Sequence, residues 1–110
     1  MAFVIRYQDK VFDDLKIIKE YLQHFSDDAP YKTLEKIAQR IDLLAQFPGM
    51  GKQCEYDPDY RQLTVDDYWV VYQADEERRA IEVHYILNSS RDIERILTTQ
   101  DRSFLPPEQD

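Results

Sequence analysis

Three runs rich in aromatic and β-branched residues, separated by short turns, limit what this chain can fold into more than any other feature. They read Tyr60-Arg61-Gln62-Leu63-Thr64-Val65, Tyr68-Trp69-Val70-Val71-Tyr72-Gln73 and Ile81-Glu82-Val83-His84-Tyr85-Ile86-Leu87. Such residues suit a pleated, half-buried surface, and the acidic breaks between the runs make a meander. Alternation puts Leu63 and Val65 on one face with Arg61, and separates Tyr68, Val70 and Tyr72 from Trp69, Val71 and Gln73. In the third run strict alternation groups Ile81, Val83, Tyr85 and Leu87, with Glu82, His84 and Ile86 opposite. A sheet of this kind packs helices on one side.

The helices precede it. Phe3 to Tyr7 is a short apolar first strand. From Lys10 the period lengthens: Phe12, Leu15, Ile18, Leu22 and Phe25 recur at steps of three and four. Ser26-Asp27-Asp28-Ala29-Pro30 stops this helix and starts the next, with Asp27 or Asp28 as cap and Pro30 in the first turn. Leu34, Ile37, Ile41 and Leu44 form the second stripe, and Lys32, Lys36 and Arg40 make a solvated basic ridge. Phe47-Pro48-Gly49-Met50-Gly51 ends it and holds both glycines of the chain. The short connection makes the pair a helical hairpin. After the meander, Ser89 or Ser90 caps a last short helix, and Ser89-x-x-Asp92 has capping-box spacing. The expected order is β-α-α-β-β-β-α, an α+β sandwich whose first strand joins the later sheet. Residues 1–97 form one domain and 98–110, with Pro106-Pro107, a loose tail.

At 110 residues the chain supports one modest core. No apolar run is long enough to span a membrane, and the first six residues are too few for a signal peptide, so a cytoplasmic location is expected. Cys54 is the one cysteine, which excludes an internal disulfide and a cysteine-based zinc cluster; no metal or cofactor is expected. The net charge is −8, with eight acids and one base between Cys54 and Glu77. A surface this acidic repels phosphate backbones and gives solubility, or suits a basic partner.

In order and spacing the chain resembles the RelE/ParE toxins of bacterial type II toxin–antitoxin systems, and is closer to the ParE-like branch. The resemblance covers residues 2–97. It is carried by the Phe47-Pro48-x-Met50-Gly51 helix end, the Tyr60-Arg61-x-Leu63 strand, the Tyr68-x-Val70-Val71-Tyr72 strand, the Ile86-Leu87 strand end and the Asp92-Ile93-x-Arg95-Ile96-Leu97 close. It implies a growth inhibitor of the plasmid-stabilisation kind, neutralised by a cognate antitoxin protein. RelE-like members cleave messenger RNA on the ribosome; ParE-like members poison DNA gyrase by contact. A homodimer stays open.

Metal-free RNA cleavage needs a base for the 2′-hydroxyl, cations for the phosphorane and an acid for the leaving oxygen. This chain has Thr64 and Val65 where the RelE-like pattern has basic residues, and Trp69 where it has arginine. No histidine–tyrosine pair ends the chain, and the Arg91-Asp92-Ile93 segment is more like the ParE branch. A ParE-like inhibitor without catalysis of its own is therefore the first reading. A RelE-like ribonuclease using Arg61, His84, Tyr85 and Arg91 is the alternative, and a non-toxic binding module on the same fold is the third.

Each candidate also has a plain structural role. Arg61 pairs with Asp59, Asp67 or Glu82, or else holds a phosphate or an acidic partner. His84 and Tyr85 point to opposite faces unless a bulge intervenes, which makes Tyr85 a core residue. Trp69 is a core or rim residue, or an anchor for target or antitoxin. Arg91 and Arg95 lie one helical turn apart, either paired with neighbouring acids or touching target or antitoxin.

Overall fold

The computed structural model describes residues 2–89. Strand β1 (Val4–Tyr7) is followed by helices α1 (Asp9–Gln23) and α2 (Ala29–Leu43) and by strands β2 (Lys52–Gln53), β3 (Arg61–Val65), β4 (Tyr68–Asp75) and β5 (Ala80–Asn88). The sheet order is β1-β5-β4-β3-β2. The meander is antiparallel as its turns predict, but β1 lies parallel to β5, with Val4 opposite Ala80 and Tyr7 opposite Val83, so the five-stranded sheet is mixed. The helical hairpin leads into β2, which runs against β1, and three antiparallel reversals then bring β5 alongside β1 in the same direction. The two-residue β2 adds an outer edge that its sequence does not announce. The closing helix expected from Ser89 to Leu97 and the tail 98–110 lie outside the described residues.

Both helices are laid on one face of the sheet. Ile37, Ile41 and Leu44 of the second stripe are buried with Tyr68, Val70, Tyr72, Ile81, Val83 and Ile86 from the strands. In α1 the inward stripe is Val11, Leu15, Ile18 and Leu22, whereas Phe12 and Phe25 are exposed. The reason is phase. Val11 and Phe12 are adjacent and both apolar, either begins a stripe through Leu15 and Ile18, and the structure takes the smaller residue inward.

At the start of α2 neither expected aspartate caps with its side chain. Asp28 holds the cap position, but the Ser26 hydroxyl accepts the Ala29 amide at 3.1 Å, and Pro30 stands in the first turn as expected. Of the basic ridge, Lys36 reaches the β3–β4 turn and binds Asp66 at 3.0 Å. Asp66 has a φ of 52° there, a left-handed conformation that aspartate tolerates better than most residues.

Candidate functional site

Four residues of the family pattern, Pro48, Gly51, Arg61 and Tyr72, meet at one knot on the helix side of the sheet. Tyr72, on the helix side of β4, is fully buried. Its hydroxyl donates to the Pro48 carbonyl at 2.8 Å and accepts the Gly51 amide at 2.9 Å. Arg61, directly across from Tyr72 on β3, donates to the Gly51 carbonyl at 2.7 Å. A side chain at position 51 would meet the Tyr72 ring at 2.9 Å and the Gln62 carbonyl at 3.0 Å, so the close approach requires glycine. Burial raises the Tyr72 phenol's pKa above its ordinary value, while the Gly51 bond and Arg61 act against that rise. Arg61 therefore fastens the helix-to-strand loop through a backbone carbonyl, in place of the expected carboxylate.

The opposite face of the sheet is built differently from what alternation predicts. Val71 pairs with Tyr85, but the next residue, Tyr72, pairs with Val83, so His84 is an extra residue in β5. This bulge reverses the phase of the strand. Ile81 and Val83 face the helices; beyond the bulge Tyr85 and Leu87 face outward, and Ile86 turns in. The expected separation of His84 from Tyr85 is thereby corrected. His84 makes a 2.8 Å bond to Gln73 and packs edge-on against Tyr60 at 5.2 Å, and both of those residues belong to the outer side with Tyr85. Burial pulls the His84 pKa down, and nearby Glu82 acts the other way.

Tyr60, Cys54, Val71, Tyr85 and Leu87 form a second small cluster on this outer face, with Trp69 half-buried against it. Burial raises the Cys54 thiol pKa, followed in effect by Asp57, with Lys52 opposing. Lys10 reaches around the sheet edge to lie 4.7 Å over the Tyr85 ring. Arg61 is on the other side of the sheet from His84 and Tyr85, so the structure brings together two of the four residues of the ribonuclease set and separates the third. Arg91, the fourth, and Arg95 lie outside the described residues. Among the described residues no group of histidine, cysteine and acidic side chains is spaced to hold a metal ion.

A residue that the sequence reading did not single out covers one donor at the sheet edge. β1 covers β5 only as far as Val83. Past it, the amide of Ile86 donates to the carboxylate of Asp14, from α1, at 3.1 Å. Asp14 is 7% exposed and also holds Lys10 at 3.2 Å. Beside it an open groove of about 300 Å³ runs between Ile17, Ile18 and Tyr21 of α1 and Tyr68, Ile86 and Leu87 of the sheet. A second hollow continues it past Tyr21 to Phe25, Asp66 and Asp67. An aspartate at an inward position of the α1 stripe, between Val11 and Ile18, is the one hint the sequence offers.

The fold is shared with toxins of known structure. The chain superposes on the chromosomal ParDE system of P. aeruginosa with a TM-score of 0.68 at 20% identity, covering 79% of this chain and 96% of that one. For the RelBE2 toxin–antitoxin complex of Mycobacterium tuberculosis the TM-score is 0.63 at 13% identity, covering 83% and 95%. For a doubly substituted, free RelE toxin of E. coli it is 0.60 at 13%, covering 96% and 100%. At these identities the likeness is one of fold. Among curated proteins, none matches the chain in sequence. Residues 5–93 match the family described as the ParE toxin of the type II toxin–antitoxin system parDE. That match takes in the Tyr72–Gly51–Arg61 knot and most of the helical and strand pattern, and the chain belongs to the ParE toxin family of type II toxin–antitoxin systems.

Proposed function

We propose that this toxin acts by binding a protein target, DNA gyrase in the first instance, and that a cognate antitoxin neutralises it. The observation that carries the reading is the position of Arg61. RNA cleavage without a metal needs cations gathered around the scissile phosphate. Here the arginine of β3 is committed to the Gly51 carbonyl on the helix side, away from His84 and Tyr85. Thr64 and Trp69 pair across the neighbouring strands where a nuclease of this fold would place charge. A net charge of −8 adds long-range repulsion toward RNA. The test is expression of the chain alone in a host lacking the antitoxin, followed by a supercoiling assay with purified gyrase. Growth arrest with inhibited supercoiling is expected; arrest with unchanged supercoiling over a wide concentration range removes gyrase as the target.

One observation favours a second reading. The bulge gathers His84, Tyr85 and Lys10 at one side of the sheet, which supplies a titratable ring, a phenol and a cation. A ribosome-dependent ribonuclease built on them would leave discrete cuts in ribosome-bound message, seen by primer extension and lost in His84→Ala.

A further inference from the structure

We propose that the hollow between the turn end of the helical hairpin and the β3–β4 turn is a binding site for a small organic cation, an aliphatic polyamine. The site goes beyond the toxin reading and does not depend on it. The hollow measures about 630 Å³, within the roughly 300–1,000 Å³ of small-molecule pockets.

Its walls are aromatic. Tyr21 near the end of α1 and Phe25 just past it stand one turn apart, with their rings edge to face at 5.3 Å. Tyr68, at the start of β4, makes another wall, and Leu22 adds an aliphatic patch. Tyr68 is buried, but Tyr21 and Phe25 are 55% and 67% exposed, so these two rings are not spent on the core. The face of an aromatic ring attracts an ammonium group, and more strongly where water is partly excluded.

The charge on the lining has the matching sign. Asp66 and Asp67 complete it, and no lysine or arginine does so among the described residues. The two aspartates are not equivalent. Lys36 already holds both Asp66 oxygens, at 3.0 and 3.1 Å. The Asp67 side chain makes no ion pair or hydrogen bond among the described residues. One open carboxylate among rings does not suit a hard metal ion, which takes six or so oxygen ligands. It suits an ammonium on an aliphatic stem. The Tyr68 phenol feels the same surroundings: burial raises its pKa first, Tyr21 and Asp67 add to the rise, and a hydrogen bond with Asn88 opposes it. The Asp67 carboxylate, the phenol oxygens and the Thr33 hydroxyl are acceptors, so a protonated amine with N–H donors fits better than a quaternary ion. Its methylenes lie on Leu22 and the rings, and each further ammonium gains from the −8 of the whole chain.

The test titrates spermidine into the full chain and follows amide chemical shifts. They should saturate at one molecule per chain, with the changes centred on residues 21–25 and 66–68. Phe25→Ala and Asp67→Asn replace exposed side chains, so they should leave the fold intact, and each should weaken binding about threefold or more. Glu76→Gln removes the same charge just past the far end of β4 and should leave the affinity unchanged. Shifts spread over the whole acidic surface, equal shifts with magnesium at matched ionic strength, or a loss in Glu76→Gln equal to that in Asp67→Asn would reduce the effect to net charge and overturn the proposal. Shifts that never saturate would overturn it as well. So would contacts of Phe25 with residues 90–110 or with a second copy that spermidine does not displace. Neither growth arrest nor supercoiling is read here, so a failure of this site leaves the toxin reading standing, and the reverse holds too.

Discussion

The hydroxyl of Tyr72 lies 2.9 Å from the amide nitrogen of Gly51, and the two residues are locked together by chemistry on one side and lack of space on the other. Tyr72→Phe leaves the Gly51 amide and the Pro48 carbonyl without this buried partner and should destabilise the fold by about 1–3 kcal/mol. Gly51→Ala puts a methyl group into the Tyr72 ring and the Gln62 carbonyl and should cost about as much through strain. Urea unfolding of each single variant and of the pair should give a sum that is not additive, since either change already opens the knot.

Asp14 is a second such position. Asp14→Ala should destabilise the chain by about 1–3 kcal/mol, because the Ile86 amide loses its acceptor. Lys10→Ala should cost less, since Lys10 is largely exposed and the carboxylate keeps its backbone bond. Amide exchange at Ile86 separates the two, with acceleration expected in Asp14→Ala only.

Stability should depend on the protonation of His84. Its pKa in the folded chain is lowered, mainly by burial, below the ordinary 6.5. The unfolded chain therefore binds the proton more readily. The contribution of the neutral ring is fully present above pH 6.5 and is lost as pH falls from there through the folded value. His84→Gln should flatten the stability profile across that window, measured by urea midpoints at a series of pH values.

Cys54 is buried and its thiol pKa is raised. A neutral, covered thiol is a poor nucleophile. Alkylation at pH 8 should be slow in the native protein and should accelerate on adding denaturant, with mass spectrometry reading the adduct. Fast native labelling would contradict the packing of Cys54 against Tyr60 and Val71.

The family pattern was legible because it is a packing constraint written in residue types. Pro48 and Gly51 stand 24 and 21 residues before Tyr72, which bonds both, and Arg61 stands between them and bonds Gly51, so their joint presence signals the fold. The order of strands and helices was legible for the same reason as in any amphipathic chain: Ile37, Ile41 and Leu44 repeat at helical steps, and Tyr68, Val70 and Tyr72 alternate. Three features were not legible. The α1 stripe was ambiguous because Val11 and Phe12 adjoin. Asp14 looks like any solvent-facing acid until β5 is known to outrun β1. The side of the sheet that Tyr85 occupies depends on one surplus residue, and surplus has no chemical mark in a run where every residue suits a strand.

That surplus residue makes β5 two strands of opposite handedness of address. Before His84, odd numbers point to the helices; after it, even numbers do. Deleting His84 would join Val83 directly to Tyr85, and plain alternation would then keep Tyr85 and Leu87 outward and Ile86 inward. The pairing of Tyr72 with Val83 and of Val71 with Tyr85 would survive that loss, because no residue of β4 stands opposite His84. A relative that lacks this residue would keep the same two faces on a strand without the bulge, and one that keeps it must bulge to hold Tyr85 outside.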